Sequence, residues 1–232
     1  MTPFQQKQLD LMRQMETALA AGAPASTIVP MQTDYQNDPQ IALTIISRVP
    51  KDIAETIQTQ LIEPLRAIEP EFFYYPNDAL HVTIQNVRVI HDPPRFTASD
   101  VAKVDGLLKT LVPKTAPFPF IFAGLLSMPT SVSIIALVSP EYDQFIRRLR
   151  KSLTDAGVPD DKTYFTDEAV FANTTICRYT HAPSEKFTDM LTKNKDMHVG
   201  QFAPDKVSLV RMNAVASPAK TTVLGEYQFV QI

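Results

Sequence analysis

Apolar residues recur at helical spacing near the start of the chain. Leu11, Met12, Met15 and Leu19, with Phe4 upstream, fall on one stripe of a helix predicted over residues 4–21. That stripe either packs on the rest of the protein or offers an interaction surface. Gly22 is placed to end the helix, and the Pro-, Asn-, Asp- and Thr-rich stretch up to Pro39 reads as a connection. From residue 40 the pattern turns regular. Residues 41–46 (IALTII) form the apolar run of a buried strand. Pro50 stands just inside a helix carrying Ile53, Ile57, Leu61, Leu65 and Ile68, and Pro64 predicts a bend in it. Residues 72–75 form a short aromatic strand closed by Pro76, and residues 80–87 form another. Thr97 or Ser99 caps a helix along Val101, Val104, Leu108 and Leu111. Residues 118–127 and 131–138 read as a hairpin. Ser139 and Pro140 open a helix through Phe145, Leu149 and Leu153 that ends at Gly157. A strand at 170–179, a helix from Ser184 through Phe187, Met190 and Leu191, and strands at 206–212 and 227–232 complete the chain.

Strand and helix counts on the two sides of about residue 130 are similar. The pattern therefore predicts an α+β architecture: two pseudo-symmetric lobes of antiparallel sheet, helices outside, around a central cleft. Residues 1–39 form an N-terminal helix and linker, packed on or extending from a domain at 40–232.

Within this pattern one context occurs twice. Ala79-Leu80-His81-Val82-Thr83-Ile84 returns as Phe171-Ala172-Asn173-Thr174-Thr175-Ile176. Each copy sets a polar residue and a threonine two positions apart in an apolar run, a spacing that turns both side chains to one face of a strand. A histidine beside a hydroxyl can hold a proton-transfer group next to a phosphate oxygen. The second copy carries Asn instead, and an amide exchanges no protons at neutral pH.

Composition narrows the chemistry. The chain has 232 residues, 44% hydrophobic and 20% charged, enough to bury a substantial core. A net charge of −3 argues against a protein that coats long stretches of nucleic acid, but leaves room for a local cationic pocket. One cysteine, Cys177, allows no internal disulfide and no metal-ligand spacing, so no metal and no cofactor are expected. The N-terminus lacks a signal-peptide pattern and no apolar run reaches bilayer length, which predicts a cytoplasmic protein without a membrane partner.

The two motifs, with Tyr75-Pro76 just before the first, the closing pattern Gly200-Gln201-Phe202 to Lys206-Val207-Ser208-Leu209-Val210, and Arg178 three positions after Thr175, resemble the 2H phosphoesterase superfamily. That superfamily contains the 2′-5′ RNA ligase-like and cyclic phosphodiesterase proteins, and the resemblance covers roughly residues 41–232. It implies a concave site where two His and two hydroxyls converge on one phosphate, commonly a 2′,3′-cyclic phosphate or a 2′-5′ linkage. Carried over, His81 is the remaining catalytic proton-transfer group and Thr83 its catalytic partner hydroxyl. Thr175, Asn173 and Arg178 bind the substrate, a small nucleotide or RNA-end phosphate. Asn173 departs from the pattern and leaves three outcomes: slow hydrolysis, chemistry needing one His, or binding without turnover.

Other residues compete for these roles. His181 lies about 26 Å of extended chain beyond Asn173 and His91 is similarly placed after His81, so both read as surface loop residues. Cys177 shares parity with Thr175 but reads as a packed residue rather than a nucleophile. Arg178 has the wrong parity and reaches the cleft only if the strand ends or bulges; Arg88 raises the same problem. The aromatics at 72–75 offer a stacking platform or, more simply, core. Arg147, Arg148, Arg150 and Lys151 read as a solvated helix face.

Overall fold

The structure is a computed structural model that describes residues 1–23, 26–168 and 170–230. Helix α1 (Pro3–Ala20) starts at Thr2. The Thr2 hydroxyl accepts from the Gln5 N–H while the Gln5 side chain accepts from the Thr2 N–H, a reciprocal cap. Then come β1 (Ile41–Arg48), α2 (Lys51–Ile57), a π-helical turn (Gln58–Ile62), α3 (Glu63–Arg66), β2 (Phe73–Tyr74) and β3 (His81–His91). Next are α4 (Ala98–Leu111), β4 (Phe120–Met128), β5 (Ser131–Leu137), α5 (Pro140–Asp155) and β6 (Ala172–Arg178). The order ends with α6 (Glu185–Lys193), β7 (His198–Phe202), β8 (Lys206–Met212) and β9 (Thr222–Gln228). Thr97, not Ser99, caps α4, paired with Asp100 in the same reciprocal arrangement.

The bend expected at Pro64 takes the form of the π-turn before it. Proline has no N–H to give and its ring crowds the carbonyl four residues back, so the helix widens just upstream.

The strands form two antiparallel sheets, ordered β3-β1-β8-β9 and β2-β6-β5-β4-β7. They do not divide the chain at residue 130. The C-terminal β8 pairs with β1 in the first sheet, while β4 joins β5 in the second. The last strand is also earlier than the apolar run at 227–232 suggests: Thr222 to Gln228 make the ladder with β8. β9 is an edge strand with Val223 52% exposed, so its hydrophobic signal is diluted. Residues 231–232 of that expected strand lie outside the described residues.

The main core joins both sheets, through Ile45, Val82, Ile134 and Ile176, to the helices, through Ile57, Leu108, Phe145 and Phe187. A second cluster explains why β5 is buried along its whole length. Alternate residues Val132, Ile134 and Ala136 face the main core, while Ile135 and Leu137 pack with Leu126 against Met12, Met15 and Leu19 of α1. Polar ties also hold α1 down. The buried Gln8 amide donates to the Val170 carbonyl and accepts from the Val138 N–H, and Arg13 donates to the Leu125 carbonyl. Phe4 lies at the margin of this stripe, only partly buried. Among the described residues no helix is long and apolar enough to cross a membrane.

Candidate functional site

β3 and β6 meet at the start of their motifs. The residue between Asn173 and Thr175, Thr174, turns away from its neighbours, is fully buried, and donates its hydroxyl to the His81 carbonyl at 2.8 Å. This bond ties the two sheets together where the motifs begin. Thr174→Val keeps the shape and removes the bond, and should cost about 1–2 kcal/mol. In a chain of this size that lowers Tm by about 2–4 °C per kcal/mol, read by calorimetry.

Beyond that point each motif strand carries the same irregularity. β1 and β3 pair Ile46 with Thr83 and then Ile45 with Gln85, so Ile84 is an extra residue. β5 and β6 pair Ser133 with Thr175 and then Val132 with Cys177, so Ile176 is extra. In a regular strand a residue three positions after the threonine faces the opposite side; the bulge reverses that parity. Asn86 and Arg178 therefore join their threonines on the concave side.

The result is a cleft of about 320 Å³ lined by His81, Thr83, Asn86, Asn173, Thr175 and Arg178. All five residues singled out from the sequence meet there. Asn86 is the residue that sequence reasoning missed, although the three-residue offset that identifies Arg178 lands on Asn86 in the first copy. Ser133 is a second omission. Its hydroxyl accepts from the Asn173 amide at 3.1 Å and lies 3.2 Å from the Thr175 hydroxyl. Nothing in its own sequence context marks it, since its role comes from cross-strand pairing.

His81 is placed for one tautomer. Its Nδ1 lies 2.7 Å from the Ala79 carbonyl, so Nδ1 carries the proton and Nε2 is the free acceptor. Burial, with smaller contributions from Arg48 and Arg178, pushes the imidazole down from 6.5 to about 4, against the opposing Ala79 bond. His81 is neutral at pH 7. Arg178 is buried, and its Nε donates to the Tyr75 hydroxyl at 2.8 Å and the Ala214 carbonyl at 3.3 Å. The Tyr75 hydroxyl in turn donates to Ala214. Among the described residues lining the cleft, Arg178 and Lys162 are cations and no carboxylate is present. That balance suits an anion.

The competing candidates lie elsewhere. His91 hydrogen-bonds the Pro93 carbonyl at the far end of β3. His181 sits between Thr180 and Glu69, against the Phe72 ring. Neither lines the cleft. The bulge turns Cys177 from the cleft into the core, where burial raises its thiol far above the usual range. Phe72 and Tyr74 are core, and Arg88 is spent on the Arg95 and Pro159 carbonyls. One expectation needs correction. Arg147, Arg148 and Lys151 are exposed or nearly so, but Arg150 leaves that solvated face. Its guanidinium stacks 3.8 Å from the Tyr164 ring centroid and donates to Gln85. A long apolar stem with a planar head can lie along the protein surface in this way. Among the described residues no cluster of three or more His, Cys, Asp or Glu could hold a metal ion.

No protein-family model matches this sequence, and no curated protein does. Its structure, however, is similar to several solved ones. A phosphoesterase aligns with TM-score 0.57 at 15% identity, over 83% of this chain and 100% of its own. TT0787 of Thermus thermophilus aligns with TM-score 0.58 at 16% identity, over 81% and 97%. LigT of E. coli, complexed with 3′-AMP, aligns with TM-score 0.55 at 14% identity, over 83% and 99%.

The chain has the 2H phosphoesterase fold.

It builds that fold with residues to spare, because about four-fifths of the chain covers those structures almost completely. Within that fold the cleft has His81 on one motif strand and Asn173 on the other.

Proposed function

We propose that the protein is a phosphodiesterase-like hydrolase for a 2′,3′-cyclic phosphate, a 2′-5′ linkage or a nucleotide or RNA end. The observation that carries this reading is a neutral imidazole, with Nε2 accepting no bond among the described residues, beside two threonines and a buried arginine in a cleft whose described lining has no carboxylate. In this reading the Nε2 atom of His81 takes the proton of the attacking water. The Thr83 and Thr175 hydroxyls donate to the non-bridging oxygens as charge develops, and Arg178 balances that charge. Asn173 spends one amide N–H on Ser133 and has a second to give to a phosphate oxygen.

The cleft is near the small end of the usual range for small-ligand sites, about 300–1,000 Å³, which supports a nucleotide-sized ligand over a long RNA. Its lining also includes the partly buried rings of Phe165 and Phe171, apolar surface suited to a base. That LigT of E. coli has been crystallised with 3′-AMP and with phosphate agrees with a ligand of this class.

A second reading has its own support. The Asn173 amide is built into a hydrogen-bonded group with Ser133 and Thr175, as a receptor cleft that binds nucleotides without turnover would use it. Hydrolysis of a 2′,3′-cyclic nucleotide panel separates the two. Turnover is expected for the wild type, and Asn173→His, which puts an imidazole on the second motif strand as well, should retain or raise it. No turnover by either protein, with 3′-AMP binding retained, would make the cleft a receptor.

A further inference from the structure

We propose that Lys162 is the general acid of this site: its ammonium protonates the departing ribose oxygen while His81 deprotonates the attacking water. The inference rests on the phosphodiesterase reading above and fills the proton-donor role that Asn173 cannot perform. In the step, a bond forms between the water oxygen and phosphorus, and the bond from phosphorus to one ribose oxygen breaks. The water proton passes to His81 Nε2 and a Lys162 proton passes to the departing oxygen. One water is consumed and a phosphomonoester is released. The imidazolium and the neutral amine then return to their starting states by exchange with solvent.

The geometry points to Lys162 because the segment between α5 and β6 brings it to the same cleft as His81, Thr83 and Asn173. That segment is pinned on both sides of it. Asp161 accepts from the Val89 N–H on β3, the Lys162 N–H donates to Asp160, and Thr163 N–H donates to the Thr27 hydroxyl. The side chain is less committed. Its Nζ lies 5.7 Å from the Tyr164 ring centroid, and among the described residues it makes no ion pair within 4.0 Å. The other polar groups around it are engaged: Arg150 with Tyr164 and Gln85, and Asp160 with Gln85.

The surrounding charge also suits an acid. From α5 Arg150 faces Lys162 and from its own segment Asp160 and Tyr164 do, while His81 and Arg178 line the same cleft. Burial, followed by Arg150, holds the ammonium below its ordinary 10.5, while Asp160 opposes. The cleft thus sets an imidazole that is unprotonated at neutral pH beside an amine that gives up its proton more readily than a free lysine. Water attack with leaving-group protonation requires a base and an acid whose surroundings differ in this way.

The test uses two substrates of one nucleoside and three proteins. A 2′,3′-cyclic phosphate has an alkoxide leaving group that needs a proton; a 3′-(p-nitrophenyl phosphate) does not. Relative to wild type, Lys162→Met is expected to lose about 10²–10⁴-fold in kcat on the cyclic phosphate but less than about tenfold on the nitrophenyl ester. The basic limb of its kcat/KM profile should disappear. Lys162→Arg, which keeps the charge but releases no proton near neutral pH, should show the same split and stands in if the Met variant does not fold. Equal losses on both substrates, no loss on either, or full activity of Lys162→Arg on the cyclic phosphate would overturn the role. If the wild type hydrolyses neither compound, the phosphodiesterase reading falls and this role with it.

Discussion

His81→Asn is expected to lower kcat/KM on 2′,3′-cyclic nucleotides by about 10²–10⁴-fold while leaving 3′-AMP binding within a small factor. Asn is close in size, can repeat the bond to the Ala79 carbonyl, and accepts no proton at neutral pH. The loss therefore falls on the proton transfer. The pH profiles carry a second signature. With the imidazole near 4 in the folded protein, the acid limb of the wild-type kcat/KM should fall near that value, not near 6.5. Stability moves with it. Between pH 6.5 and 4 the unfolded chain takes up a proton on His81 that the folded protein refuses, so wild-type stability declines as pH falls through that window. His81→Asn lacks this contribution, and its Tm should decline less steeply over the same range. Parallel Tm curves would show that the imidazole is not held neutral by the fold.

Arg178→Met should weaken binding of phosphate-bearing ligands by about ten- to a hundredfold, the equivalent of about 1.5–3 kcal/mol for a hydrogen bond to a charged group. The fold has reason to survive, since the Tyr75 hydroxyl keeps its own bond to Ala214 when the guanidinium goes. Titration calorimetry with 3′-AMP and with adenosine separates the effects. The nucleotide should lose affinity and the neutral nucleoside should not. Equal weakening of both would assign Arg178 to holding the cleft's shape. Arg178→Lys is no conservative rescue, because an ammonium gathers its donors at one point, whereas Arg178 bonds Tyr75 and Ala214 through Nε and leaves its fork for a phosphate.

How far the sequence reached follows from what kind of information each feature needs. The two motif strands, the helices of the main domain and the stripe on α1 are periodic, and period is local. The motif pair His81/Thr83 and Asn173/Thr175 was legible for that reason, and its separation in the chain gave the two-sheet architecture. Arg178 was legible as a residue type at an offset but not as a direction, because parity alone pointed it away from the cleft. Asn86 shows the cost of reading one copy without applying its lesson to the other. Ser133, Arg150 and Lys162 belong to a different class. Ser133 enters through pairing across β5 and β6, Arg150 by stacking from α5 on Tyr164, and Lys162 by lying on the irregular segment that carries Tyr164. None of these follows from spacing along the chain. The misplaced last strand fails for a simpler reason, since an exposed edge presents few apolar residues to count.

The bulges at Ile84 and Ile176 have a consequence for how such a site changes over time. Because one surplus residue in each strand decides which way Asn86 and Arg178 turn, the ligand-facing set is written in a residue count as well as in identities. A deletion of a single residue just past either threonine would straighten the strand and rotate the third side chain toward the hydrocarbon interior, with every named group still present in the gene product. Descendants of this chain could therefore lose or regain a phosphate contact by the length of a strand alone, a change that comparing residue types column by column would miss.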